Sequence, residues 1–365
     1  MADVGAERLG ARLMDEVEEC GLGELLASLR TLVVPGEQSI VFNIPELDAL
    51  LSPPPPAPIQ IPHHRSDDDT WNPVHEPRTD PPPMAKKSTT SIIELVSPPH
   101  AYHPSPAGKT ALIHLLTTHA ILPSTLSNIP LHGLTSSIIL LDPLHHFSTS
   151  FLATTLFSHI TACFTAAGHD ATTPAAKQEI IACAKHAMRH VHVLRPSSWD
   201  SMLATLRSLE SHLFDRRRHD SMDRRVHALV VDDVDAFLAY LRTAPGPDAL
   251  SAASVQLTRL LVALASTFSC AVVMAGRSAT AAGFRPGVPL GWPAHVRFTR
   301  LAVRRVEVVP FAPGMSVEEA EAERGQRGEV VSRGRVEVWR VGGGAEKDGV
   351  VMKIGRGAVV EREEG

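Results

Sequence analysis

The stretch GKTALIHLLTTHAILP at residues 108–123 places a glycine, a lysine and a threonine directly before a helical pattern. On its amino side, residues 92–96 form an apolar run of strand length. On its carboxyl side, five side chains recur at the spacing of one helix face, which Pro123 ends: Leu112, Leu115, Leu116, His119 and Leu122. The sequence therefore predicts a strand, a loop that ends in Gly-Lys-Thr, and a helix.

Further along the chain, apolar runs of strand length alternate with helical repeats. Such runs occupy 137–141, 191–194, 228–231 and 271–275. Continuous apolar strands joined through helices are typical of a mainly parallel sheet covered on both faces. After residue 298, apolar and charged residues alternate in 298–309, 335–341 and 350–354, which favours antiparallel strands with one wet face. We expect an α/β fold with a mainly parallel central sheet and C-terminal antiparallel strands.

Gly108, Lys109 and Thr110 occupy the position at which a phosphate-binding loop works. Backbone N–H groups and the helix N-terminus cradle phosphates there, the lysine reaches the β and γ phosphates, and the threonine hydroxyl ligates Mg²⁺. The full G-x-x-x-x-G-K-[ST] pattern fails at its first position, His103, and Pro106 removes one N–H group. We therefore expect a distorted loop, or one lengthened by PPHAYHP after Ser97. The alternative is that Gly-Lys-Thr only begins a helix.

Asp232 directly follows the apolar run ALVV at 228–231. In phosphate-loop proteins, an aspartate after a buried strand holds Mg²⁺. The alternative is that Asp232 only ends the strand and faces solvent. Asp233 and Asp235 are expected to cap the turn rather than to catalyse. The predicted site for ATP and Mg²⁺ comprises Ala107, Gly108, Lys109, Thr110 and Asp232, of which Thr110 and Asp232 hold the metal together with the nucleotide.

Charge is distributed unevenly along the 365 residues. The net charge of -5 counts against a histone-like nucleic-acid binder, but residues 91–310 alone carry 19 basic and 14 acidic side chains. Twelve of the 29 prolines lie between Pro45 and Pro83, where fixed φ angles oppose helix and sheet. The predicted organisation is a short N-terminal helical segment at 1–51, a Pro-rich disordered linker at 52–90, a core at 91–310, a charged flexible insertion at 311–334 and a C-terminal β-hairpin at 335–365 that completes the core sheet.

Several classes of protein are disfavoured by composition. The four cysteines are far apart, which argues against a disulfide framework or a cysteine zinc site and favours a reducing compartment. The 19 histidines are scattered without metal-ligand spacing. The amino terminus lacks a secretory signal, and no apolar run has the length of a membrane span, so no membrane contact is expected.

Several segments in their order resemble the RecA-type recombinase ATPases, specifically the eukaryotic recombinase paralogues of homologous recombination. The likeness covers about 91–310 and is carried by GKTALIHLLTTHAILP at 108–123, SIILLDPLHHF at 137–147, ALVVDDVDAFLAYL at 228–241, AVVMAGRSA at 271–279 and GWPAHVRFTRLAVRR at 291–305. This resemblance implies a RecA-like P-loop ATPase core in a nuclear subunit for repair of double-strand breaks. Such a subunit joins other recombinase paralogues in a hetero-oligomer and assists recombinase filament assembly on single-stranded DNA.

Two departures from this family argue against efficient ATP hydrolysis. In hydrolysing members, an acid two residues after the strand-end aspartate activates water, whereas the position two residues after Asp142 is Leu144, which cannot accept a proton. The family's polar sensor after the later strand, usually glutamine, matches Arg277. The expectation is ATP binding with weak or no hydrolysis. An autonomous DNA-dependent ATPase is the alternative enzyme, and an α/β interaction domain with an incidental Gly-Lys-Thr is the other alternative.

The resemblance also implies contact with single-stranded DNA through mobile loops. The loop 276–295 contains Arg277 and Arg285, and Arg297 and Arg300 follow it, so all four arginines are candidates for phosphate contact. The equivalent earlier loop, 243–254, has no lysine or arginine. Direct DNA affinity is therefore expected to be weak and sensitive to salt, or to arise through the complex. The arginine-rich segment 215–225 is interpreted as a solvated loop with internal ion pairs, and the alternative is a patch that contacts DNA.

Overall fold

The structure is a computed structural model that describes most of the chain after residue 90. The described residues are 40–52, 91–99, 107–244, 246, 248–280, 284–293, 296–306, 311–342, 349–355 and 357–361. Residues 1–39 of the predicted N-terminal helical segment, nearly all of the Pro-rich segment, and the loop residues His103 and Pro106 lie outside these ranges. From Val41 onward the chain forms one unit.

A nine-stranded sheet forms the centre of this unit, in the order β5-β4-β6-β7-β1-β8-β9-β10-β11. The first six strands in this order run parallel, and β9, β10 and β11 pair antiparallel. Their bounds are β1 Ser91–Ser97, β4 Ser137–Leu141, β5 Val191–Leu194, β6 Val226–Val231, β7 Ala271–Arg277, β8 Arg297–Arg305, β9 Arg335–Arg340, β10 Val350–Ile354 and β11 Ala358–Val360, while β2 Thr125–Leu126 and β3 Ile129–Pro130 form a separate hairpin. The predicted α/β class, mainly parallel with antiparallel C-terminal strands, is confirmed.

Helices cover both faces of the sheet. The described helices are α1 Pro45–Ala49, α2 Lys109–Ile121, α3 Thr149–Ala166, α4 Pro174–Met188, α5 Trp199–Leu213, α6 Leu238–Thr243, α7 Ala249–Phe268 and α8 Val317–Ser332. The apolar faces of α2, α3 and α4 share one core, and those of α5 and α7 share the other. Strand β1 supplies both cores, because Ile93 and Leu95 point to the first and Ile92 to the second. This burial on both faces explains the continuous apolar strands.

Helix α2 is more deeply buried than its sequence pattern indicates. A single apolar face is predicted, yet every residue of the helix except Thr110 is buried, including His114 and His119. The helix contacts β1 and β4 on one side and α3 and β11 on others. Strand β11 thus covers a face of α2 that the sequence pattern predicts to be exposed to solvent.

Two segments differ from the predicted organisation. The charged residues 311–334 are not a loose insertion, because they contain α8, which begins with a capping box between Ser316 and Glu319. None of the α8 side chains is buried, so the box and surface ion pairs hold a helix that apolar periodicity does not reveal. Residues 41–51 belong to the core rather than to a separate segment, because Phe42 and Leu47 are fully buried in it.

Helix α7 is long and apolar enough to span a bilayer by length and composition. Core helices of soluble proteins meet the same two conditions. Leu257 and Leu261 of α7 are fully buried against the second core, in contact with the sheet. Composition alone therefore gives only weak grounds for a membrane span here.

Candidate functional site

The predicted site residues gather at the carboxyl edge of the parallel strands. Ser97 ends β1, and Asp142 and Asp232 directly follow β4 and β6. Leu141 pairs with Val231, so the two aspartates leave neighbouring strands side by side. Lys109 and Thr110 reach the same edge from the first turn of α2. Ligands of open α/β sheets bind at this edge, which makes it the candidate functional site.

Lys109 is buried at this edge and carries an amine with few partners. Its Nζ donates to the Ser97 hydroxyl at 2.9 Å, and the side chain is only 8% exposed. Burial lowers the pKa of this amine below its usual value, while the carboxylates of Asp233, Asp232 and Asp235 act in the opposite direction. A buried amine at this edge is suited to bind a polyanion, because an anionic ligand would stabilise the charged form of the amine that burial disfavours.

Thr110 and Asp232 are joined although 122 positions separate them. The Thr110 hydroxyl donates to Asp232 Oδ2 at 2.8 Å, and Asp232 is fully buried. Its other oxygen, Oδ1, has no hydrogen-bond partner among the described residues. Burial, and then the neighbouring Asp233, raise the pKa of Asp232 to about 7. The hydrogen bond from Thr110 and the charge of Lys109 act in the opposite direction, but they do not offset the effect of burial.

These features fit a magnesium ion held together with phosphates. Mg²⁺ takes oxygen ligands in octahedral geometry and keeps several waters, so one hydroxyl and one carboxylate are enough protein contact when a nucleotide supplies the rest. No group of three or more His, Cys, Asp or Glu residues in the described ranges is arranged as a metal site of its own. The unpaired oxygen of Asp232 and the adjacent Thr110 hydroxyl would hold the ion, which would neutralise the phosphates.

Gly108 adopts a backbone conformation that explains its residue type. Its φ is +92°, in the left-handed region that glycine accepts without strain. A Cβ atom at this position would lie 2.8 Å from Val336 and 3.1 Å from Ile354, on β9 and β10. Ala107, half-buried, precedes it. The C-terminal strands therefore pack against the end of the Gly-Lys-Thr loop, a contact between distant parts of the chain that the sequence pattern does not reveal.

The loop after β4 is organised by Asp142. This fully buried carboxylate accepts hydrogen bonds from the backbone N–H groups of His146 and Phe147, and Arg195 Nε lies 3.6 Å from it. Leu144, at the position where the resemblance leads one to look for a catalytic acid, is exposed. Asp142 thus stabilises the loop that carries His146.

His146 and Asp233 form a pair that sequence reasoning missed. His146 Nδ1 lies 2.6 Å from Asp233 Oδ2, and the histidine is half-exposed while the aspartate is buried. Asp233 has φ +61°, an uncommon value for a residue with a side chain. The pair faces an open cavity of about 530 Å³ whose lining includes Thr110, His114, His146, Ser148, Ser150 and Phe151. Asp233 therefore does more than cap the turn, because it also pairs with His146, which lines the same cavity as Thr110.

The four arginines predicted for DNA contact do not form one surface. Arg277 pairs with Ser97 at the carboxyl edge and is exposed, and Arg285 is exposed in the following loop. Arg297 pairs with Ser91 at the opposite edge, where its guanidinium donates to the Leu51 carbonyl at 2.8 Å. Only Arg277 and Arg285 remain near the candidate site.

Arg300 has a structural partner inside the sheet. Its guanidinium lies 2.7 Å from a carboxylate oxygen of Glu94, which is 2% exposed on β1. Trp292, in the loop 276–295, donates from Nε1 to the same carboxylate at 3.0 Å. A buried carboxylate needs such partners, so both side chains are engaged in stabilising the centre of the sheet.

Comparison with models of known protein families and with curated proteins gives no match for this chain. The functional interpretation therefore depends on the geometry of this edge and on the residue patterns of the sequence.

Proposed function

We propose that the chain binds ATP with Mg²⁺ at the carboxyl edge of β1 and β6, through Ala107, Gly108, Lys109, Thr110 and Asp232. The observation that carries this proposal is the hydrogen bond of 2.8 Å between Thr110 and Asp232 beside a buried Lys109. These three groups match the metal and phosphate contacts of phosphate-loop proteins. A structural role alone does not require a buried amine, a buried carboxylate and a hydroxyl to meet at one open edge.

We expect the site to bind ATP and to hydrolyse it slowly. Leu144 offers no proton acceptor, and Arg277 is exposed and is not among the residues named in the lining of the cavity. As the resemblance implies, hydrolysing relatives have an acid that activates water at the first position and a polar sensor residue, usually glutamine, at the second. ATP binding with slow hydrolysis is therefore the activity we assign to this site.

The biological role we infer is that of a recombinase-paralogue subunit in the nucleus, acting in double-strand break repair by homologous recombination. The support is the ordered resemblance of five segments to RecA-type recombinase ATPases, together with a mainly parallel sheet that is compatible with a RecA-like core. The subunit would join other recombinase paralogues in a hetero-oligomer and assist filament assembly on single-stranded DNA. Because Arg297 and Arg300 are engaged within the fold, its own contact with DNA would be weak.

Co-purification separates this role from the two alternatives. The tagged full chain should capture recombinase paralogues from nuclear extract, whereas an autonomous DNA-dependent ATPase should purify alone and hydrolyse ATP rapidly when DNA is added. Rapid steady-state hydrolysis by the isolated chain, abolished by Lys109→Ala, would contradict the assembly role. Failure of the isolated chain to bind any nucleotide would leave only an α/β interaction domain.

A further inference from the structure

The pair formed by His146 and Asp233 has the geometry of a general base with its orienting partner. An ionised carboxylate can only accept a hydrogen bond, so with Asp233 ionised the contact of 2.6 Å places a proton on His146 Nδ1. In the neutral ring, this tautomer leaves Nε2 with a free lone pair. An aspartate that fixes the tautomer and orientation of an imidazole is the arrangement by which hydrolytic enzymes prepare a base.

The environment of the pair places it in the candidate site. Thr110 and His146 line the same open cavity, and Asp233 is the residue directly after Asp232. The His146 side chain is 46% exposed, so it can exchange protons with water, whereas the Asp233 side chain is 6% exposed. The left-handed backbone of Asp233, φ +61°, turns consecutive aspartates toward two different partners, Thr110 and His146. Strained conformations of this kind concentrate at functional sites.

We propose that His146, oriented by Asp233, accepts the proton of the water that attacks the terminal phosphate of the bound nucleoside triphosphate. This inference rests on the proposed nucleotide site and names the group responsible for its slow hydrolysis. His146 lies two positions after Leu144 in the loop shaped by Asp142, so the base comes from the same loop but from another residue.

The proposed step is a hydrolysis without any change of oxidation state. The water oxygen forms a bond to the terminal phosphorus as the bond from that phosphorus to the bridging oxygen breaks. The bridging oxygen leaves with the bonding electron pair on the nucleoside diphosphate, and the water proton moves to His146 Nε2. His146 then releases the proton to solvent through its exposed ring. Phosphoryl transfer gains most from positioning and charge, so a base contributes a moderate share of the rate.

Single-turnover hydrolysis of γ-labelled ATP with Mg²⁺, by the full chain in excess, tests this role. We expect His146→Gln to slow phosphate release by about 100-fold, the lower end of the usual contribution of a general base. Asp233→Asn should slow it by at least about tenfold, and asparagine tolerates the left-handed backbone at this position. His145→Asn, in the exposed neighbouring histidine, is the control, because asparagine tolerates the φ of +59° at this position, and it should leave the rate unchanged. Lys109→Met should remove the activity and so exclude a contaminating ATPase.

Two further readouts do not depend on turnover. The affinity for a fluorescent ATP analogue should stay within about twofold of wild type in His146→Gln, because a base that acts on water adds little ground-state binding. NMR of the ligand-free, ¹⁵N-histidine-labelled protein should show His146 as the Nδ1-protonated tautomer, and Asp233→Asn should redistribute it between the two tautomers.

The outcomes separate this inference from the proposed function. If nucleotide binds but His146→Gln hydrolyses it at the wild-type rate, if bound ATP is never hydrolysed, or if His146 is protonated on Nε2, the general-base role is wrong and the nucleotide site stands. If the wild-type chain binds no nucleotide, the proposed function and this inference are both wrong.

Discussion

At the scale of one residue, Lys109 carries a buried amine whose burial costs stability. Its amine is buried and donates a hydrogen bond to Ser97, and burial depresses its pKa. A lysine whose pKa is lower in the folded than in the unfolded chain opposes folding at neutral pH, and this cost disappears only as the pH rises toward 10.5. An anionic ligand would reverse that cost.

Replacing Lys109 by methionine should therefore stabilise the ligand-free protein while abolishing its response to nucleotide. We expect the free energy of unfolding in urea at neutral pH to rise by roughly 1 kcal/mol, because an apolar side chain of similar length replaces a buried charge. Mg²⁺–ATP should stabilise the wild type but not Lys109→Met. Lys177→Met, at an exposed position of α4, is the control and should change neither quantity. A large loss of stability in Lys109→Met would show instead that the amine supports the fold.

His119 makes the stability of the core depend on pH. It is 8% exposed on α2, its Nδ1 has no hydrogen-bond partner in the described part of the chain, and burial lowers its pKa to about 3, with smaller contributions from His159 and His132. Because this pKa is below the unfolded value of 6.5, the unfolded chain binds the proton first as the pH falls. The stabilising contribution of neutral His119 is present above pH 6.5 and is lost progressively below it.

His119→Phe should reduce the acid sensitivity of the protein. Between pH 7.5 and pH 5, wild type should lose about 2 kcal/mol more unfolding free energy than the variant, from the 1.5 pH units below the unfolded pKa. Urea unfolding at the two pH values measures this difference, and some sensitivity should remain, because burial also lowers the pKa of His190 and His192 to about 4. Exposed His169→Gln is the control, and equal slopes for wild type and His119→Phe would refute the assignment.

At the scale of secondary-structure elements, the Gly-Lys-Thr loop depends on strands that come more than 200 residues later. The side chains of Val336 on β9 and Ile354 on β10 lie 2.8 Å and 3.1 Å from the position that a Cβ atom of Gly108 would occupy. The loop is therefore constrained from two directions, by its own left-handed turn and by the side chains of the C-terminal strands. Such a constraint prepares the first turn of α2 before a ligand arrives, which limits the entropy lost on binding.

Comparing alanine at two glycines separates these two constraints. Gly108 and Gly168 both have positive φ, +92° and +76°, but only Gly108 has atoms close to the added Cβ. Gly168→Ala should cost about 1 kcal/mol from the left-handed backbone alone. Gly108→Ala should cost about 2–4 kcal/mol, because overpacking adds to the same backbone penalty. It should also weaken ATP binding, whereas Gly168→Ala should leave binding intact.

Val336→Ala in the background of Gly108→Ala provides the internal check. If packing on β9 causes the extra loss, removing the Val336 methyl groups should recover part of it, as measured by urea unfolding. Equal losses for Gly108→Ala and Gly168→Ala would mean that the C-terminal strands do not constrain the loop.

The elements differ in how far local patterns predict them. Gly108, Lys109, Thr110 and Asp232 are predictable because each stands at the border of a strand or helix with a clear periodicity. The pairing of His146 with Asp233 is not, since it depends on β4 and β6 being neighbours in a sheet whose order the sequence does not show. Helix α8 has no buried face to produce an apolar period, but its S-x-x-E signal at Ser316 and Glu319 was readable.

At the scale of the whole molecule, the residues of the candidate site and the ion pair that stabilises the sheet lie in different parts of the parallel sheet. Its carboxyl edge collects Lys109, Thr110, Asp232 and the pair His146–Asp233, whereas the interior uses charge to hold strands together, as Glu94 does with Arg300. Arginines that look alike in the sequence therefore have different roles.

Equilibrium binding of a fluorescent ATP analogue with Mg²⁺ tests the central claim most directly. The wild-type chain should bind it saturably, and the affinity should fall by at least about tenfold in both Lys109→Met and Asp232→Asn, because each removes a charge from the phosphate and metal contacts. Lys177→Met should bind as wild type does. Absence of binding by the wild type, or equal binding by Lys109→Met and wild type, would contradict the assignment of a nucleotide site to this edge of the sheet.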